Sequence, residues 1–264
     1  MRRIVFPFLV VVIICLTCFG TAVLAADEDY AVTPSGIPID RLAPFVDVFA
    51  AQHIGQRTVG ATVAVLKDGE LALINAYGHA DLENEITAEV GNVFEWGSVS
   101  KLLVWTSVMQ LVENGRLDLT SDIRSYLPEG FLTKLRFEQP INMLNLMHHN
   151  AGWEDHLMDL FYKSADDVGS LEETLRICEP VQVYEPGKVI AYSNFGVSLA
   201  GYIVECISGE PFYQYVNEHI FKVLGMDTTT IHPTQQDNAA VAAQREKIHG
   251  YRMVAQGSFV KSAT

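Results

Sequence analysis

Positive charge is scarce in this chain. Eighteen lysines and arginines face 32 acids among 264 residues, a net charge of −14. Phosphate contacts need a basic face, so nucleic acid is excluded as a natural partner. Charged residues of both signs make up only 19%, below the usual quarter. Cysteine is nearly absent too. Cys15 and Cys18 lie in an apolar leader, which leaves only Cys178 and Cys206 beyond it. Two cysteines cannot supply a disulfide framework. They can pair in an exported chain or stay as separate buried thiols. There is no internal repeat, no low-complexity tract and no H-E-x-x-H zinc motif.

What is present begins with that leader. Met1-Arg2-Arg3 is basic, Ile4 to Gly20 carries no charge, and Val23-Leu24-Ala25 resembles a small-residue cleavage site. Residues 1–25 read as a secretory signal peptide, with an uncleaved membrane anchor as the alternative. Export to the periplasm, the cell envelope or the medium follows. Cleavage would remove two arginines and no acid, leaving a net charge of −16. Residues 26–38 read as a linker, with Pro34, Gly36 and Pro38. Residues 39–264 are long enough for a real core, as one large domain or two lobes.

The following segments predict a helix, a hairpin and then a run of helices, an α+β arrangement. Apolar residues in Ile39 to Ile54 are spaced for an amphipathic helix. Thr58 to Leu66 and Leu71 to Tyr77 read as antiparallel strands around Lys67-Asp68-Gly69-Glu70. Asp81 to Val93 reads as irregular. A brief helix capped by Thr120 or Ser121 ends at Pro128. Further helices are expected over Ile141 to Met147, Leu171 to Cys178, Phe195 to Ile207 and Pro211 to Leu224. Signals from Met226 to Thr264 are weak.

The chemistry-bearing stretch is Phe94 to Gly115. Ser98 heads a long helix and Lys101 lies one turn on, so the two share a face. The helix is apolar nearly all round, which predicts burial. A buried ammonium needs a partner or a depressed pKa. Ser-x-x-Lys alone is a weak signal, with roughly one chance match expected in such a chain. A second match, Ser258-Phe259-Val260-Lys261, heads no helix. Tyr192-Ser193-Asn194 is the second candidate. On an extended segment Tyr192 and Asn194 face the same way. The phenol can move a proton and the amide can hold a carbonyl or a lysine. Tyr215-Val216-Asn217 repeats the pattern inside a helix, where residues two apart diverge. His148, His149, Glu154, Asp155 and His156 could in principle ligate a metal, but their spacing fits no zinc pattern. They read as structural polar residues at a helix end, and no cofactor is expected.

FEWGSVSK, LVENGRLDLTSDIRSYLPEG, LMHHNAGW, YEPGKVIAYSNFG and SGEPFYQYVNEHIFKVLGMDTT occur in this order. That order resembles the β-lactamase-related serine hydrolases: class C β-lactamases, low-molecular-weight penicillin-binding proteins and related esterases. The resemblance runs from about Ile39 to Thr230. It implies a β-lactamase/transpeptidase-like fold, an antiparallel sheet with flanking helices plus an all-helical lobe. It implies Ser98 as acylated nucleophile, Lys101 as its proton acceptor, Tyr192 as base and then acid, and Asn194 as a substrate-binding residue. The implied substrate is a small peptide, β-lactam or ester. The runner-up is a non-catalytic cell-wall binding or sensor domain of the same fold, and a purely structural protein stands third. Two departures stand out. His149-Asn150-Ala151-Gly152 replaces the usual His-Thr-Ser-Gly. The family's third motif, Lys-Thr-Gly or His-x-Gly on a late strand, has no copy before Thr264, since His249-Gly250-Tyr251 comes too early. The expectation is an incomplete domain, with C-terminal strands of the sheet missing from this chain. A lost oxyanion donor would cost about 10²–10³ in rate.

Overall fold

A computed structural model describes residues 32–155 and 164–262. The expected signal peptide, much of the linker and His156 lie outside those residues. The chain divides into two compact units. One takes the described residues up to Gly91 and those from Gly250; the other is Asn92–His249.

In the first unit, helix α1 (Ile39–His53) precedes strands β1 (Gly60–Lys67) and β2 (Glu70–Asp81). Asp68 and Gly69 both have positive φ, 52° and 82°, which is the backbone a two-residue hairpin turn demands. The pairing runs from Lys67↔Glu70 to Gly60↔Gly78 with a bulge at Val65/Leu66. At the far end the strands are too close for side chains. A Cβ on Gly78 would sit 2.1 Å from the Val59 carbonyl oxygen. Asp47 accepts a hydrogen bond from the Tyr77 hydroxyl at 2.8 Å, joining α1 to β2.

The segment expected to be irregular holds a short strand, β3 (Ile86–Thr87), which extends the sheet in the order β1-β2-β3. The weakly marked C-terminal stretch holds β4 (Tyr251–Ala255) and β5 (Ser258–Lys261), an antiparallel pair. Tyr251 explains why local periodicity did not predict them. Its hydroxyl accepts from Leu82 N–H at 2.8 Å and donates to Glu83, contacts far apart in sequence. Ser258 and Lys261 sit on a strand, where residues three apart point to opposite faces.

In Asn92–His249, a 3₁₀ turn (Gly97–Ser100) leads into helix α2 (Lys101–Glu113). Asn114 caps it and Gly115 follows with φ 67°, the left-handed geometry that closes helices. The expectation of burial all round needs correction. Leu103, Val104, Ser107, Val108 and Leu111 are buried, whereas Leu102 is 62% and Met109 44% exposed. Neighbouring helices cover one side of α2, and among the described residues the opposite side has no such cover.

The short turn at Ile123–Tyr126 is capped by Asp122, which accepts from Arg124 N–H, not by Thr120 or Ser121. Thr120 is engaged instead with Asp118. Helix α3 (Met143–Met147) opens on an Asn142/Asn145 capping box, and α4 (Leu171–Cys178) on a Ser170/Glu173 box. Helix α5 (Asn194–Ser208) starts at the Ser193 cap and stops at Gly209, φ 81°. The run expected as one helix after Pro211 is interrupted. It is α6 (Phe212–Val216), a π turn (Asn217–Phe221) and α7 (Lys222–Leu224). Helix α8 (Ala239–Arg245) follows an Asn238 cap. No disulfide joins Cys178 and Cys206. The core of this unit centres on α5, where Leu199, Ala200, Ile203 and Val204 are fully buried beside Val108, Ile123 and Met143.

Candidate active site

Two helix starts and one loop build the site. Ser98 lies in the 3₁₀ turn before α2, shaped by Gly97 (φ 51°) and by the Ser100 hydroxyl donating to the Gly97 carbonyl at 2.7 Å. Tyr192 and Asn194 flank Ser193, the cap of α5. The buried Ser193 hydroxyl accepts from Gly196 N–H at 3.1 Å. That bond satisfies one of the unpaired amides at the helix start, and it fixes where the chain turns from extended to helical.

The loop after α3 positions the Tyr192 segment. Val183 and Tyr184 N–H donate to the Gly152 carbonyl, Gly187 N–H to that of Asn150, and Ala191 N–H to that of His149. The approach requires glycine at 152. Its φ is 98°, and a Cβ there would lie 2.0 Å from the Tyr184 carbonyl oxygen. So His149-Asn150-Ala151-Gly152 works as a backbone clasp. Below it, Trp153 is buried with its ring edge-on to Phe195, centroids 5.0 Å apart.

The four residues singled out in the sequence meet. Ser98 Oγ lies 2.8 Å from Tyr192 Oη, and either can donate. Lys101 Nζ donates to Ser98 Oγ at 3.1 Å and to Asn194 Oδ1 at 2.8 Å. The amine also stands 4.9 Å from the centre of the Tyr192 ring, a cation–π distance. Lys101 therefore has the partner its half-buried position calls for.

Two further residues belong here. Asp155 Oδ1 accepts from Asn194 N–H at 3.0 Å, and its two oxygens each lie 3.1 Å from Asn194 Nδ2. His149 Nδ1 accepts from Ser193 N–H at 3.2 Å, and its ring lies 4.6 Å from that of Tyr192. Sequence reading placed both in a structural cluster at a helix end, and that needs revision: they brace the site. The signal for Asp155 is the need of an Asn side-chain NH₂ for acceptors. Sequence alone does not choose among the acids that could meet it. Glu154 faces elsewhere, accepting from the Tyr184 hydroxyl at 2.7 Å. Tyr215 of the decoy pair is buried within α6.

These contacts bias protonation. The hydrogen bond with Lys101 first, and that with Ser98 second, hold the Tyr192 phenol below its ordinary pKa, against burial and the charge of Asp155. Burial first and the Lys101 charge second hold His149 below its ordinary value. A neutral His149 suits an Nδ1 that accepts a hydrogen bond. A hydroxyl within reach of an amine and of an acidified phenol can lose its proton to whichever of the two has given up its own.

The chain is similar to known proteins over most of its length. A family model described as Beta-lactamase matches residues 45–264. A Bacillus subtilis (strain 168) relative named penicillin-binding protein PbpX is 28% identical over 192 residues, covering 73% of this chain and 45% of its own length. An Escherichia coli (strain K12) relative named D-alanyl-D-alanine carboxypeptidase is 25% identical over 217 residues, covering 75% of this chain and 49% of its own. The solved structure of EstCE1, described as a hydrolase with promiscuous acyltransferase activity, superimposes with a TM-score of 0.69 at 26% identity. That match covers 84% of this chain and 60% of that one. The chain spans about half the length of the curated relatives it matches.

Proposed function

The chain belongs to the β-lactamase family, and from that premise we propose that it is a serine hydrolase that forms an acyl-enzyme with a peptide, β-lactam or ester substrate. The observation that carries this reading is the meeting at Ser98 Oγ of the Lys101 amine, at 3.1 Å, and the Tyr192 phenol, at 2.8 Å.

In this reading Ser98 Oγ attacks the substrate carbonyl while its one proton passes to the uncharged amine of Lys101 and from there to Tyr192. The bond from the carbonyl carbon to the leaving nitrogen or oxygen then breaks, and Tyr192 returns the proton to that leaving group. Water cleaves the resulting ester by the same path and restores Ser98. Positioned acid–base groups contribute about 10²–10⁴ each to such a transfer, and the covalent intermediate divides one hard step into two. Asn194 holds Lys101 through its amide oxygen and presents the substrate side of the site. Ser98 N–H, at a helix start, supplies one oxyanion donor. The names of the relatives support this choice: one is called a D-alanyl-D-alanine carboxypeptidase and another a hydrolase.

Turnover of nitrocefin, a D-alanyl-D-alanine peptide and p-nitrophenyl acetate tests the proposal. At least one should be consumed, and Ser98→Ala should lose that activity by 10³ or more, on the order seen when a nucleophile is removed. Turnover that survives Ser98→Ala refutes the assignment. Tight binding of a wall peptide without turnover favours the non-catalytic reading. The basic start and apolar run of residues 1–25 support export of the protein; its recovery in the cytosolic fraction of cells would contradict that.

A further inference from the structure

The Asn194 side chain lies between two groups of opposite kind. On one side, Lys101 Nζ donates to Oδ1 at 2.8 Å. On the other, Asp155 takes Asn194 N–H at 3.0 Å and both Nδ2 contacts at 3.1 Å. The Lys101 amine donates to Ser98 Oγ as well as to Asn194 Oδ1, and an ionised carboxylate only accepts. An amide between them has one satisfying orientation. Turned over, it would set NH₂ against the N–H groups of the Lys101 amine and carbonyl against the carboxylate. Each mismatch in a partly buried place costs the desolvation of an unmet polar group.

We infer that Asp155 is a positioning residue for this site: by taking the N–H groups of Asn194, it fixes the amide so that its oxygen anchors Lys101 against Ser98. The inference rests on the proposed reading of Ser98, Lys101 and Tyr192 as the reacting groups. Asp155 acts through Asn194 and does not touch Ser98 in this arrangement. With Asp155 removed, water satisfies Asn194 Nδ2 in either orientation, and the lysine loses its fixed acceptor. The charge of Asp155 opposes that of Lys101 at Tyr192 and at His149, the other titratable groups facing it from the loop after α3 and the segment before α5.

Two measurements test this. The first is the rate at which a fluorophosphonate labels Ser98, followed against pH in Asp155→Asn and Asp155→Glu. Misplacement of a reacting group by about an ångström costs up to roughly 10²-fold. Asp155→Asn should label tenfold to 10²-fold more slowly, and its acid-side midpoint should move to lower pH, because a negative charge near the phenol is gone. Asp155→Glu should recover part of the rate and keep the midpoint. Equal loss in both variants with an unmoved midpoint, or no loss in either, overturns the inference. The second needs no reaction. In protein labelled at Asn, hydrogen exchange of the Asn194 side-chain NH₂ should be at least tenfold slower than in Asp155→Ala, and equal exchange overturns the inference. Labelling that persists in Ser98→Ala refutes the reading of the nucleophile, while the exchange measurement still decides the role of Asp155.

Discussion

Val108, Ile123, Met143, Leu199 and Ile203 have no exposed surface in the unit Asn92–His249. In the sheet-bearing unit, Phe45, Val48, Phe49, Leu66 and Leu71 are each more than half exposed. Few of its residues are buried: Leu42, Ala50, Val59, Leu73 and Asp81 are examples. The helical unit also carries exposed apolar residues, but around a continuous core. The sheet unit leaves the outer edge of β1 unpaired among the described strands, and such an edge is a template for association. Ser98, Lys101, His149, Asp155, Tyr192 and Asn194 all sit on the better-packed unit. Packing there holds two helix starts in register, and the proposed site, which would have to place three groups to within a fraction of an ångström, needs that support.

The strongest way to sharpen this contrast is at the site. Tyr192→Phe keeps the ring against His149 and removes only the hydroxyl. It should slow Ser98 acylation by about 10²–10⁴, measured as fluorophosphonate labelling rate, with the thermal midpoint unchanged. A rate within threefold of wild type would leave the phenol without a role.

Next comes the core itself. Leu199→Ala removes a fully buried side chain from α5 and should cost about 2–5 kcal/mol. Leu71→Ala, more than half exposed on β2, should stay within about 0.5 kcal/mol. Denaturant titration of both variants checks the pair. Similar losses would erase the distinction between the two units.

Smaller is the cap. Ser193→Ala removes the acceptor for Gly196 N–H and should destabilise by about 1 kcal/mol. Ser193→Thr should recover most of it. Because this residue sits between Tyr192 and Asn194, acylation should slow more than stability alone predicts.

The smallest effect is in pH. His149 has a folded pKa below its unfolded value of about 6.5, so the folded state binds fewer protons in the interval between them. Its contribution is full above about pH 6.5 and is lost as pH falls toward the folded value. Amides of the 149–152 clasp should exchange faster at pH 5.5 than at pH 7.5, after correction for intrinsic rates, and His149→Gln should blunt the change. The β1–β2 amides should not respond in that window. Asp81 of that unit is held down to about 2, chiefly by the Asn84 side chain, and so begins to lose its contribution only below about pH 4.

Much of this was legible in the chain because local rules govern it. Asp68-Gly69 specifies its own turn. Gly115 and Gly209 mark where helices stop. Ser98 with Lys101 and Tyr192 with Asn194 were visible as pairs, each from its own helix start. What local rules do not contain stayed hidden. Strands β4 and β5 depend on Tyr251 reaching Leu82 and Glu83. The break after Val216 is a π turn without a proline or glycine to announce it. Asp155 was readable only as one acid among several until Asn194 came to lie beside it. The exposed face of α2 differs from its predicted burial because an all-apolar helix says how much surface needs cover, not which neighbour supplies it.

The central claim is that Ser98 becomes the acylated atom because Lys101 and Tyr192 converge on it. Incubating the 264-residue chain with a fluorophosphonate, digesting it and mapping the adduct by mass tests this most directly. The account predicts the adduct on the peptide that contains Ser98, lost in Ser98→Ala. An adduct on Ser258, in the other Ser-x-x-Lys sequence, or an adduct that persists in Ser98→Ala, would contradict it.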